Sequence, residues 1–309
     1  MMFRRTIAII ACALCALCLL LLSGCSQKEP PPPAKKAPAR KLQIGLLPEQ
    51  NIFRQIERYE PLMAYLGRKT GVKYELKVLP RYGNIVANFK ELGLDGAFFG
   101  SFVYALAHVR MGITVLARPE SENGISTYHG LIFVRKDSGI RSAKDMKGKR
   151  LACVDKATTA GYLLPLEYFH ENGIADCRKY LKEVYFAGTH EDAILDVLNR
   201  KADIGAAKNT VFEKMAANDN NVKNALAILA VSPEVPENAF ALRGDIEVEL
   251  KKKIKDVLLA MNQDPEGKEV LKQFGAARFI ETTNRDYEPV FKYARDVHID
   301  LATYDYLND

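Results

Sequence analysis

Short apolar runs alternate with segments of helical period, twice over, and this alternation restricts the fold more than any other feature of the chain. "LQIGLLP" (Leu42–Pro48) is a short apolar run that stops at a proline, the mark of a buried strand. "ERYEPLMAYLGRKTG" carries Leu62, Met63 and Leu66 at helical spacing and ends at Gly71. "VKYELKVLP" alternates as a strand does, "NIVANFKELG" returns to helix, and "LDGAFFG" (Leu94–Gly100) is a strand again. "SFVYALAHVRMG" is a helix with Ser101 placed to cap it, followed by the strand "ITVLARPE". The order βαβαβαβ predicts an α/β fold with a mostly parallel sheet and helices on its faces. The pattern then restarts. "TYHGLIFVRKDSGI" (Thr127–Ile140) is a long strand, and "RLACVD", "EVYFAG", "ADIGAAK" and "LAILAVSPEVP" are further strands, with helical segments between them. From Asp245 onward the pattern is largely helical, and no repeat of solenoid length is present.

The first residues follow a different plan. Arg4 and Arg5 precede an apolar run from Thr6 to Leu22, and small residues precede Cys25. That is the layout of a secretory signal peptide, 1–24, and "LSGC" (Leu22–Cys25) resembles a bacterial lipobox whose cysteine takes the lipid. The 17 apolar residues also approach spanning length, but the small residues before Cys25 favour a lipoprotein over an uncleaved anchor. Residues 25–40 then hold the lipidated cysteine and a tether, "SQKEPPPPAKKAPAR", with four consecutive prolines and no aromatic residue. Such a stretch is extended, reaching about 45 Å at about 3.1 Å per residue. The expectation is an exported body, lipid-anchored to the periplasmic or outer face of a bacterial membrane. Cys12, Cys15 and Cys18 lie in the apolar run and form no metal motif. Cys153 and Cys177 remain, and they either pair or stand as buried thiols.

Without residues 1–24 the chain has 309 − 24 = 285 residues, enough for two domains, and its formal charge falls by two arginines from +6 to +4. Charge this mild and this evenly spread is not a nucleic-acid stripe. Two α/β units joined in sequence suggest two lobes with a cleft, and ligands of open α/β sheets sit beyond the carboxyl ends of the strands.

Four strand-to-helix corners carry unusual polar residues: "FFGS" with Ser101, "TTAG" with Thr158, Thr159, Ala160 and Gly161, "GTHED" with His190, and "AKNT" with Lys208 and Asn209. A helix start offers unpaired N–H groups and a partial positive charge, and small residues let an anion approach the backbone. The same hydroxyls and amides also serve as plain N-caps, and each corner alone leaves both readings open.

The stretches "IGLLP", "YEPLMAYLGRKTG", "LDGAFFGSFVYALA", "YHGLIFVRKDSGIRSAKDMKGKRLACVD", "TTAGYLLP", "GTHEDAILDVLNRKADIGAAKNTVFEKM" and "FGAARF", in this order and spacing, resemble the phosphate/phosphite/phosphonate-binding proteins of ABC importers from about Leu42 through Val290. The resemblance implies a two-lobed periplasmic-binding-protein fold of type II with two hinge crossings, near Leu131–Val134 and Val231–Asn238. It implies lobe one at 41–133 plus 237–309 and lobe two at 134–236. Thr158, Thr159 and the amides through Gly161 would bind the oxyanion, faced by Ser101, with Tyr82, Tyr128 and His190 around it. At "AAKNT" many relatives carry an acidic residue suited to a substrate ammonium. Lys208 and Asn209 here favour a bare phosphorus oxyanion (phosphate, phosphite or a simple phosphonate), with Glu191 as the remaining acidic contact.

The function implied is capture of that anion and delivery to an ABC permease in the inner membrane, by a monomer. A ligand-sensing lipoprotein that signals to a membrane partner is the alternative. An enzyme is not expected: the chain has no GxSxG elbow, no P-loop and no HExxH, since "HEDAI" at His190 lacks the second histidine. No cofactor and no metal is expected.

Overall fold

β1 (Lys41–Leu46), β2 (Lys73–Val78), β3 (Gly96–Phe99) and β4 (Thr114–Glu120) alternate with α1 (Ile52–Thr70), α2 (Ile85–Glu91) and α3 (Ser101–Met111) in this computed structural model, which describes residues 40–47, 51–79 and 85–308. The signal segment, Cys25, the tether and Tyr82 lie outside the described residues. α1 begins five residues before the quoted helical stretch, because the Asn51 side chain accepts the amides of Phe53 and Arg54 at 3.1 and 3.5 Å. It ends where Gly71 takes a left-handed φ of 75°. β3 is buried at every position, as a central strand covered on both faces should be.

After β4 the chain makes a two-residue strand β5 (Thr127–Tyr128) and enters a second sheet through β6 (Gly130–Arg135). β7 (Arg150–Cys153) leads into a loop and a π-helical turn, Thr159–Leu163, which continues as α4 (Leu164–Glu171). Then come α5 (Cys177–Tyr180), β8 (Glu183–Phe186), α6 (His190–Leu198), β9 (Ile204–Lys208), α7 (Asn209–Asn218), α8 (Asn220–Ala225) and β10 (Leu226–Val231). β11 (Val235–Pro236) pairs antiparallel with β5. β12 (Ala239–Leu242) rejoins the first sheet, followed by α9 (Val248–Ala260), α10 (Pro265–Phe274), β13 (Arg278–Glu281) and α11 (Glu288–Asp296).

The strand orders are β13-β4-β12-β3-β1-β2 and β10-β6-β9-β7-β8. Both sheets are mixed, which corrects the expectation of mostly parallel ones. β1 pairs parallel with β2 and β3, whereas β12 runs antiparallel between β3 and β4. β6 likewise runs antiparallel between β9 and β10. The cause is the route of the chain. β6 and β12 each follow directly from the β5·β11 ribbon, so they enter their sheets at the edge where the neighbouring strands end. A strand inserted against both its neighbours in each sheet, after each crossing, is the two-lobed type II arrangement, and β13 at the edge of the first sheet also runs antiparallel to β4. The crossings sit at the ribbon, so Leu131–Val134, expected as a hinge, is the interior of β6, while the second expected span contains β11.

Cys153 and Cys177 are both free thiols, buried in the apolar cluster of the second sheet.

Candidate functional site

The strand ends of both sheets meet beside the ribbon, around a cavity of about 10 Å³. Gly100 and Val103 come from the corner between β3 and α3, Ala157–Ala160 from the loop after β7, His190 from the start of α6, Lys208 from the end of β9, and Tyr128 and Asn238 from the two crossings. The cavity thus gathers most of the residues singled out in the sequence: Thr158, Thr159, Ala160, Tyr128, His190 and Lys208.

The loop after β7 is a latch of short bonds. The Asp155 carbonyl accepts both the amide (3.0 Å) and the hydroxyl (2.7 Å) of Thr158. A carboxylate oxygen of Asp155 accepts the amide of Ala157 at 2.8 Å. Thr158 occupies the N-cap position of the π turn, yet its side chain makes no capping bond. Its hydroxyl and its amide are both committed to Asp155, so Thr158 shapes the loop, and the helix-start amides that follow it are the ones left for a ligand. Thr159 reaches across to the first sheet, where its hydroxyl oxygen accepts the Phe102 amide at 2.8 Å. A helix start has amides with no partner inside the helix, and the Phe102 amide at the start of α3 is one of these. Gly161 lies behind the cavity. A Cβ there would stand 2.4 Å from Val154 Cγ2 and 2.7 Å from Thr158 Oγ1, so glycine is needed for the loop to close on itself, not for a ligand to approach.

Ser101 is fully buried as the first residue of α3, without a capping bond, and its hydroxyl donates to the Pro236 carbonyl at 2.6 Å. It ties α3 to the second crossing. Asn209 begins α7 and accepts the His129 amide at 2.9 Å. It lines a wider cleft of about 690 Å³, which opens between α1, α7 and the end of α10 and shares Lys208 with the small cavity.

His190 is 4% exposed, and its Nδ1 accepts the Lys208 amide at 3.2 Å. Burial, reinforced by the Lys208 ammonium and opposed by Glu237, lowers its pKa to about 3. The ring is therefore neutral at ordinary pH, and acceptance at Nδ1 puts its proton on Nε2, as a donor. Tyr128 has its pKa raised by burial and stays a neutral phenol, within hydrogen-bond reach of Ser101 and Thr159. Lys208 is buried, with its ammonium paired to Glu237, 3.4 Å from Asn238 Oδ1 and 4.4 Å from the centre of the Tyr128 ring. Glu237 and Asn238 escaped the sequence reading. They sit on the return crossing, where neither a cap pattern nor strand alternation marks them.

Amide N–H groups at a helix start, neutral O–H and N–H donors and one lysine make a site for a small anion bearing several acceptor oxygens. Among the described residues no group of three or more His, Cys, Asp or Glu could hold a metal, and no helix is long and apolar enough to cross a membrane.

The family model described as the periplasmic substrate-binding protein of a phosphonate ABC transporter matches residues 44–287. The phosphonates-binding periplasmic protein of Escherichia coli is 25% identical over 258 residues, covering 82% of this chain and 75% of the relative. The phosphate-import protein PhnD of Mycolicibacterium smegmatis is 29% identical over 248 residues, covering 76% and 77%. Among solved structures, PhnD1 of Prochlorococcus marinus in complex with methylphosphonate superposes with a TM-score of 0.74 at 22% identity, over 84% of this chain and 99% of that one.

Proposed function

The chain belongs to the family of periplasmic substrate-binding proteins of phosphonate ABC transporters, and from that premise we propose that it captures a small phosphorus oxyanion between its two lobes and presents it to a permease. The observation that carries the proposal is the convergence of Thr158–Ala160, His190 and Lys208 from the second sheet with Gly100 and Tyr128 on one cavity. Relatives import phosphate or bind phosphonates, and the lysine at the end of β9 favours a bare anion over one that carries an ammonium. The family is one of transport receptors rather than enzymes, and it favours delivery to a permease over sensing. Division of labour between two lobes, split at the β5·β11 ribbon, is part of the same proposal, as is action as a monomer.

Calorimetric titration with methylphosphonate, phosphite and phosphate tests the reading. At 100 times its dissociation constant the right anion stabilises the fold by about 2.7 kcal/mol. Thr158→Ala/Thr159→Ala should lower affinity roughly ten- to hundredfold through the Thr159 hydroxyl, which accepts the Phe102 amide and keeps its proton for the anion, since one hydrogen bond to a charged group contributes about 1.5–3 kcal/mol. Unchanged affinity in that variant would return the threonines to a structural role. Lipid anchoring at Cys25 rests on the lipobox-like "LSGC". Cys25→Ser should release the protein from the membrane fraction, and a wild-type protein recovered without acylation would overturn it.

A further inference from the structure

We propose that Asn308 and Tyr304 are positioning residues for the loop 155–161, held in place by a strap, residues 297–308, that spans both walls of the cleft. The proposal rests on the reading that this loop takes the oxyanion. After α11 the strap is fastened to α3. Arg110 donates to the carbonyls of Leu301 at 2.8 Å and Tyr304 at 2.5 Å, and its guanidinium stands 4.7 Å from the centre of the buried Tyr306 ring. The other end of α3 is the helix start whose Phe102 amide meets Thr159. The strap then reaches the second sheet. The Tyr304 hydroxyl donates to the Lys156 carbonyl at 3.1 Å. Asn308 accepts the Lys156 amide through Oδ1 at 3.0 Å and donates through Nδ2 to the Asp155 carboxylate at 2.8 Å.

Asp155 is the residue that shapes the loop. Its carbonyl takes both donors of Thr158 and its other carboxylate oxygen takes the Ala157 amide. It is fully buried, so its rotamer depends on the partners that reach it, and Asn308 is one of them. A side chain with both a donor and an acceptor is required there. Asn308 meets a carboxylate with its NH₂ and a backbone amide with its oxygen, and neither alanine nor aspartate can do both. The strap, α3 and the loop thereby form a closed ring of bonds, with the cavity on one side of it. Losing the Asn308 bonds frees the carboxylate that holds the Ala157 amide, and so loosens the turn that presents the amides of residues 159–161.

The test compares Asn308→Ala, Asn308→Asp and Tyr304→Phe with wild type and with Thr159→Ala. Two readouts are needed: amide hydrogen exchange without ligand, and titration with methylphosphonate, phosphite and phosphate. Asn308→Ala should speed exchange at residues 157–163 while leaving β9 unchanged, and should lower affinity about tenfold through faster release. Asn308→Asp, which faces one carboxylate with another, should lose at least as much, and Tyr304→Phe less. Loss of affinity in Thr159→Ala with none in Asn308→Ala overturns the strap and leaves the site standing. Faster exchange across both sheets, β9 included, would make the strap a general support and also overturn the proposal. Full affinity in both Thr159→Ala and Asn308→Ala overturns the site itself, and so does failure of all three anions to bind wild type.

Discussion

His190 shows how a single residue ties the site to stability. It is neutral in the fold, with a pKa lowered to about 3 by burial and then by Lys208, while an unfolded histidine takes a proton near 6.5. Below pH 6.5 the unfolded chain therefore binds the additional proton. The stabilisation from keeping this ring neutral is complete above about 6.5 and is lost as the pH falls from there toward 3. The loss approaches about 1.4 kcal/mol per pH unit once the unfolded histidine is fully charged. Wild type should thus lose its advantage over His190→Gln between pH 7 and pH 5. Urea unfolding at pH 7, 6 and 5 measures this, and a constant difference would mean that the ring titrates alike in the folded and the unfolded chain. The position of His190 was legible because a histidine in the first turn after a strand end is visible in one dimension. The aims of the hydroxyls were not. Ser101 and Thr158 were equally suited to cap, to hold a ligand or to bond to a carbonyl, and only the placement of Pro236 and Asp155 decides for the carbonyl.

The ion pair of Lys208 with Glu237 joins two elements: the end of β9 and the return crossing before β12. The lysine side chain is 5% exposed and the glutamate 19%, so the pair is largely removed from water. Breaking such a pair from one side leaves a poorly solvated charge, which costs more than the pair itself contributes. Lys208→Met should therefore destabilise the fold by roughly 2–3 kcal/mol, less than for a fully buried pair because Glu237 keeps some solvent. Adding Glu237→Gln should recover much of that loss while leaving anion affinity low, because the cation is still missing. A double-mutant cycle by chemical denaturation reads the coupling, and additive losses would show that the two side chains do not depend on each other. The elements were legible where pattern is local: β1 to β4 and their helices follow from runs and caps within a few residues. The insertion of β12 between β3 and β4 was not, because "AFAL" gives no sign of which sheet edge it enters. That is fixed by the crossing at the ribbon, more than a hundred residues after β4. β13 was hidden for a related reason, as four residues between helices in a stretch that otherwise reads as helical.

At the scale of the whole molecule, the cavity walls belong to two sheets that the chain connects through paired crossings, so access depends on the sheets moving apart. A volume of about 10 Å³ holds about one water, which is less than a tetrahedral phosphorus oxyanion requires. Ligand entry thus needs an open form, and the sheets would close on the anion around a cavity wider than this one. The rim already carries contacts that favour closure. Glu191 at the start of α6 accepts the Asn51 amide at 3.3 Å and lies 3.7 Å from the Arg54 guanidinium, both at the start of α1. The Arg54 side chain is 63% exposed, so this pair contributes at most about 1 kcal/mol. A contact that exists only in the closed form lowers apparent affinity, when removed, in proportion to the closed population it supported. Glu191→Ala should accordingly weaken binding of methylphosphonate a few-fold at most, by about 1 kcal/mol or less, with the same bonds to the anion. Small-angle scattering separates this from a direct contact. Without ligand the variant should have a radius of gyration at least as large as wild type, and saturating methylphosphonate should bring both to the same smaller value. An unchanged radius on saturation of wild type would mean that the anion is held within one sheet's corner and that closure plays no part in its capture.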